Sequence, residues 1–136
     1  MSRALEELHD RRAILALADA FSQSSHSGPL EVLLGLYTYD ATAIYGEHTA
    51  KGHSALRLMH AGHRAEFPMT STHHDSHTIR LDGANATGSL YGRARVTLSG
   101  RQFHCSYRYT DRYAKRDGAW QFAHRHFELR SAIVVD

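Results

Sequence analysis

The stretch Tyr109-Thr110-Asp111-Arg112-Tyr113-Ala114-Lys115-Arg116-Asp117-Gly118-Ala119-Trp120-Gln121-Phe122 decides the fold. Asp117-Gly118 is a two-residue hairpin signal set between alternating apolar and polar residues. Asp82-Gly83 and Ser99-Gly100 carry the same signal upstream, at intervals of about 17 residues. These intervals predict four antiparallel strands of about ten residues or more, against roughly 5–6 in an ordinary strand. Strands that long twist and curl. Period-two alternation puts Phe103, Cys105, Tyr107, Tyr109, Asp111 and Tyr113 on one face of the third hairpin strand. Asp111 is then a carboxylate among tyrosines. In the strand before it, Leu90, Gly92, Ala94, Val96 and Leu98 form an apolar face whose small residues leave space.

The first half reads as helices. Leu5, Leu8, Ile14, Leu15, Ala18 and Phe21 recur at helical spacing. The polar run Ser22 to Gly28 breaks that pattern. Pro29 opens a shorter helix with Leu30, Leu33, Leu34 and Tyr37 on its apolar side. Ala41 to Tyr45 is a short strand ended by Gly46. A third helix follows Lys51-Gly52, with Leu56, Met59 and His60 on one face, and Phe67-Pro68 closes it. Helix, helix, strand, helix and four strands make an α+β fold, with helices on one face of a bent sheet. The 136 residues fit one domain, 1–136.

Apolar residues are 42% and charged residues 22%, a globular composition. Sixteen Lys and Arg against fourteen Asp and Glu leave +2, with no basic run, so no nucleic-acid partner is expected. The start is charged and lacks an apolar signal core, and no stretch suits a membrane. A cytoplasmic protein is the expectation. A single cysteine, Cys105, excludes a disulfide framework and reads as inert filler on an apolar face. The unusual count is twelve histidines, whose charge switches between about pH 5 and 8.

The element order and the closing pattern of Tyr109, Asp111, Tyr113, Asp117-Gly118 and Trp120 resemble the nuclear-transport-factor-two-like superfamily. Within it the chain is most similar to the SnoaL-like branch of scytalone dehydratase, lindane dehydrochlorinase and polyketide cyclases. Ketosteroid isomerase is a more distant cousin. The resemblance implies a cone: a curled antiparallel sheet wrapped around N-terminal helices, a cystatin-like α+β barrel with a deep apolar pocket. It also implies that no cofactor is needed. In the dehydrochlorinase the catalytic histidine lies in a Thr-x-His segment before an Arg-Leu strand. Thr72-His73-His74 precedes Ile79-Arg80-Leu81 at matching spacing, so His74 is the implied base. The family's cavity arginine, five residues after the closing tryptophan, falls on Arg125. Its orienting aspartate falls on His26, and Phe21 stands where relatives often carry tyrosine or lysine.

Strand parity complicates His74. An unbroken strand puts His73 and His77 with Ile79 and Leu81, and His74 on the opposite face. A bulge near Asp75-Ser76 would turn His74 inward. His26 either orients His74 or caps the first helix. Asp111 is either an acid of raised pKa or the partner of Arg125 or Arg108. Arg125 is the candidate holder of an anionic or carbonyl group, and Tyr45 of a substrate oxygen. Phe21, Tyr107, Tyr109 and Tyr91 are candidate substrate-binding walls. His73, His74, Asp75 and His77 suggest a metal, but neighbours on a strand diverge, so none is assigned. His124 and His126, sharing a face with Trp120 and Phe122, suggest a subunit contact. His48, His53, His60 and His63 read as surface or helix-face residues without a shared target.

Two classes of function remain. The first is a small cofactor-free lyase or isomerase binding a hydrophobic, oxygenated cyclic molecule, with histidine abstracting a proton for elimination, isomerisation or ring closure. The second is a non-catalytic binding or assembly module, or an accessory subunit, on the same fold. A homodimer is expected, with a trimer as the alternative.

Overall fold

A computed structural model describes residues 2–135. Three helices, α1 (Arg3–Ser24), α2 (Leu30–Leu34) and α3 (His53–Glu66), pack within a six-stranded sheet. The strands are β1 (Tyr37–Tyr45), β2 (His48–Lys51), β3 (Met69–Asp82), β4 (Asn85–Leu98), β5 (Arg101–Arg116) and β6 (Ala119–Val134). The sheet order is β2-β1-β6-β5-β4-β3. All pairs are antiparallel except β1 with β6. The curled sheet stays open, with β2 and β3 as its edges. The strand at Ala41–Tyr45 starts four residues earlier, at Tyr37, and the short β2 lay outside the sequence reading. Among the described residues, no helix is long and apolar enough to cross a membrane.

Local chemistry explains the elements. Ser2 caps α1, its side chain accepting from Leu5 N at 3.2 Å. Ile14, Leu17, Ala18 and Phe21 are its buried stripe, while Leu5, Leu8 and Leu15 are exposed. Leu15 lies about 100° around the helix from Ile14 and cannot share its face. Asp117 and Gly118 both have positive φ, +52° and +78°, as a mirror-image hairpin turn requires.

The registers arrange the inward side chains in rows across the sheet. Ala43, Arg125, Asp111, Gly88 and Ile79 form one row. Tyr45, Phe127, Tyr109, Leu90 and His77 form the next, and Leu129, Tyr107, Gly92 and His74 the third. Register shifts decide who belongs. One between His74 and Ser76 leaves Asp75 unpaired, so His74 and His77 both turn inward.

A second shift, between Arg112 and Tyr113, leaves Ala123 unpaired. Trp120 and Phe122 therefore join Arg125 in the core, while His124 and His126 take the other face. This corrects the expected shared outer face of those four residues. Tyr91 is corrected too. It faces outward opposite Arg108, with the Arg130 guanidinium 5.0 Å from its ring centre, and lines no cavity. His60 shares the buried face of α3 with Leu56 and Met59, at 4% exposure, and His53 bonds the carbonyls of Tyr37 and Thr38.

Tyr107 lies flat over Gly92. A Cβ at Gly92 would sit 2.7 Å from Tyr107 Cζ and its hydroxyl. Gly92→Ala is therefore expected to cost about 1–3 kcal/mol through overpacking, measured by urea unfolding.

Candidate active site

A cavity of about 700 Å³ opens between the α1–α2 loop, α3 and the concave face of the sheet. Met69, Ala94, Val96, Phe103, Cys105 and Phe127 make its wall largely apolar. Burial raises the Cys105 thiol, which keeps it protonated and unreactive.

Polar groups interrupt this wall. Tyr45 and Tyr109 reach it from the same sheet row, their hydroxyl oxygens 3.1 Å apart. Phe127 sits between them in that row and stacks on Tyr45 at 4.9 Å. Burial pushes both phenols well above their ordinary pKa, so both remain donors at neutral pH. His26, from the turn after α1, also lines the cavity, and its Nε2 is buried without a hydrogen-bond partner. Burial, then the nearby Arg64 charge, lowers its pKa, so it is neutral at pH 7. Arg64 holds that turn in place. Its guanidinium donates to the carbonyls of Ser24, Ser25, Ser27 and Gly28. His63 lines the cavity as well, its ring 5.0 Å from that of Tyr45, its pKa lowered by burial and then by His48.

Other sequence candidates lie elsewhere. Asp111 and Arg125 face each other across β5 and β6 and are buried at 1% and 0% exposure. Arg125 Nε donates to Asp111 Oδ1 at 3.0 Å and Nη2 to Oδ2 at 3.3 Å. The guanidinium carbon lies 3.6 Å from the Tyr109 ring centre, 4.1 Å from Phe122 and 4.3 Å from Phe21. Burial alone would lower its pKa, but the facing Asp111 carboxylate opposes burial and holds it charged. Neither member of the pair lines the cavity, and Phe21 is core packing rather than a substrate wall. Tyr113 donates to Asp111 Oδ2 and sits 2.8 Å from His77 Nε2.

His74 faces inward but is not in the cavity wall. Its Nε2 lies 2.8 Å from Ser22 Oγ and its Nδ1 3.3 Å from Asp19 Oδ1. The residue orienting His74 is therefore Asp19, not His26. Asp19 and Ser22, three apart in sequence, have the spacing of one helix face, a signal that could have found them; Arg64 and Phe127 carried no such signal. Among the described residues, no three His, Cys, Asp or Glu side chains converge as a metal site.

The buried histidines set a pH dependence. Burial, then His63 and Arg125, lower His60 from 6.5 to about 3, and burial, then Arg125, lower His77 to about 4. Both fold neutral, so the unfolded chain binds more protons below pH 6.5, and stability falls as pH drops from there toward the folded values. His60 alone is expected to cost about 2 kcal/mol between pH 6.5 and pH 5, with half-buried His77 adding less. Urea unfolding across that range measures it, and His60→Phe is expected to flatten the slope.

Comparisons place this geometry among known folds. A protein from Novosphingobium aromaticivorans named for scytalone dehydratase is 22% identical, with TM-score 0.84 over 96% of this chain and 90% of that one. Hexachlorocyclohexane dehydrochlorinase LinA-type3 from Novosphingobium barchaimii is 18% identical, with TM-score 0.78 over 97% and 94%. A ketosteroid isomerase-like protein from Erwinia carotovora atroseptica is 17% identical, with TM-score 0.78 over 88% and 95%. No curated protein matches the sequence. The SnoaL-like domain profile matches residues 6–126, and the chain belongs to that family.

Proposed function

We propose that this protein is a lyase or isomerase that moves a proton on an apolar, oxygenated cyclic molecule held in the cavity. The observation that carries this is the Tyr45–Tyr109 hydroxyl pair in an apolar cavity wall that His26 also lines. The cavity volume suits a drug-sized ligand. The two phenols would donate to a carbonyl or hydroxyl oxygen of the substrate as negative charge builds there. Neutral His26 would take the proton from the adjacent carbon. His63 is the second imidazole available for its return. The base role that the family resemblance implied for His74 passes to His26, because Nε2 of His74 is committed to Ser22.

Arg125 acts through Tyr109. Its charge, stacked on the ring from behind, favours negative charge at the hydroxyl side. This replaces direct contact between Arg125 and substrate. The neighbouring dehydrochlorinase and isomerase-like structures support the class of reaction by fold alone.

The test begins with a thermal-shift panel of cyclic ketones, hydroxyketones and halides. A ligand at 100 times its Kd is expected to add about 2.7 kcal/mol of stability. Deuterium uptake next to the carbonyl of the bound ketone is then followed in heavy water. Tyr109→Phe is expected to slow uptake about 10²–10³-fold, and His26→Ala about 10²–10⁴-fold. No stabilisation across the panel would overturn the enzyme reading in favour of an assembly module.

A further inference from the structure

We propose that Ser22, His74 and Asp19 form a second reactive site, separate from the cavity, in which Ser22 is a nucleophile that hydrolyses small activated esters. The three roles are in place. Ser22 Oγ lies 2.8 Å from Nε2 of His74, and Asp19 Oδ1 lies 3.3 Å from its Nδ1. A proton on Nδ1, facing the carboxylate, leaves the Nε2 lone pair for the serine hydroxyl. Nucleophile, base and orienting carboxylate in that order are what activates a serine, whatever the fold around them.

Two features of the backbone build this arrangement. Unpaired Asp75 turns His74 toward α1, and the three-residue spacing of Asp19 and Ser22 puts both on the helix face that meets it. The neighbouring serines behave differently. Ser24 donates to the Ala20 carbonyl and Ser25 to that of Ser22, the usual fate of a serine hydroxyl on or beside a helix. The Ser22 hydroxyl is instead directed onto an imidazole 52 residues away in sequence.

The electrostatics suit the step. Burial is the main cause that lowers the His74 pKa, so the ring is neutral and able to accept a proton. The imidazolium formed in the reaction would sit beside Asp19 and the last turn of α1, whose carbonyl end favours a cation. Ser22 and His74 are only half-buried, so an ester can approach from solvent along the seam between α1 and β3. Without a deep pocket there, activated aryl esters of short acids are the matching class.

In the first step Ser22 Oγ bonds to the ester carbonyl carbon, and its proton passes to Nε2. The bond from that carbon to the leaving oxygen breaks, and the phenol departs with the proton from Nε2. Water then attacks the acyl carbon and gives a proton to Nε2. The bond to Ser22 Oγ breaks, Oγ recovers that proton, and the acid is released.

The experiment treats the full chain with a fluorophosphonate reagent and locates the adduct by peptide mass mapping. The expected result is one adduct, on Ser22, with a rate that rises through the ionisation of His74. Ser22→Ala is expected to abolish that adduct. His74→Ala is expected to slow labelling about 10²-fold or more and remove the pH inflection, and Asp19→Asn to slow it about tenfold or more. Circular dichroism checks the fold of each variant, and His74→Phe replaces His74→Ala if the alanine variant unfolds. No adduct on the wild-type chain, an adduct only elsewhere, or equal rates in a folded His74 variant would overturn the proposal.

Discussion

The ion pair between Arg125 and Asp111 is the constraint around which the core is arranged. Both side chains are almost completely withdrawn from water. A buried charge costs several kcal/mol unless it is paired and its remaining hydrogen-bonding positions are met. The cross-strand register sets the two groups face to face. Aromatic groups meet part of the remaining demand. Phe21, Phe122 and Tyr109 surround the guanidinium, and the Tyr113 hydroxyl donates to the carboxylate. One guanidinium nitrogen, Nη1, stays without a partner.

That solution shapes the cavity at a distance. Tyr109 lies against Arg125, and its hydroxyl meets Tyr45 in the cavity wall. Tyr113 extends past Gly88 to reach His77. A core charge thus positions two hydroxyls that serve different parts of the molecule. Beyond that ion pair, the tyrosine pair lies with His26 in the cavity wall, and His74 meets Asp19 and Ser22 at the seam with α1. In the row that crosses β5, β4 and β3, Tyr107 lies over Gly92, with His74 as the next residue across.

Much of the fold was legible. Three turn signals predicted four long strands, and the strands run 14, 14, 16 and 16 residues. The face of β5 that carries Tyr107, Tyr109, Asp111 and Tyr113 was readable because that face is unbroken from Tyr107 to Tyr113. The pairing of Asp111 with an arginine was among the alternatives for the same reason. The site was less legible. Parity failed at Ala123, where one unpaired residue sent Phe122 and Arg125 inward together despite odd spacing. His26 stands where the family places an orienting aspartate, and Asp19 took the role from a full turn and more upstream.

The sequence by itself determined the order of the helices and the four long strands, the turns between those strands, and which strands alternate. These follow from local propensity, period and turn chemistry, which act within a few residues. It also placed a carboxylate and an arginine within reach of one apolar face. Only the tertiary structure decided which side chains share a row, which histidines enter the cavity, and which partner each imidazole meets. Those outcomes depend on register, and one unpaired residue moves every side chain beyond it to the opposite face. The cost of a bulge is set by contacts between strands and helices far apart in sequence.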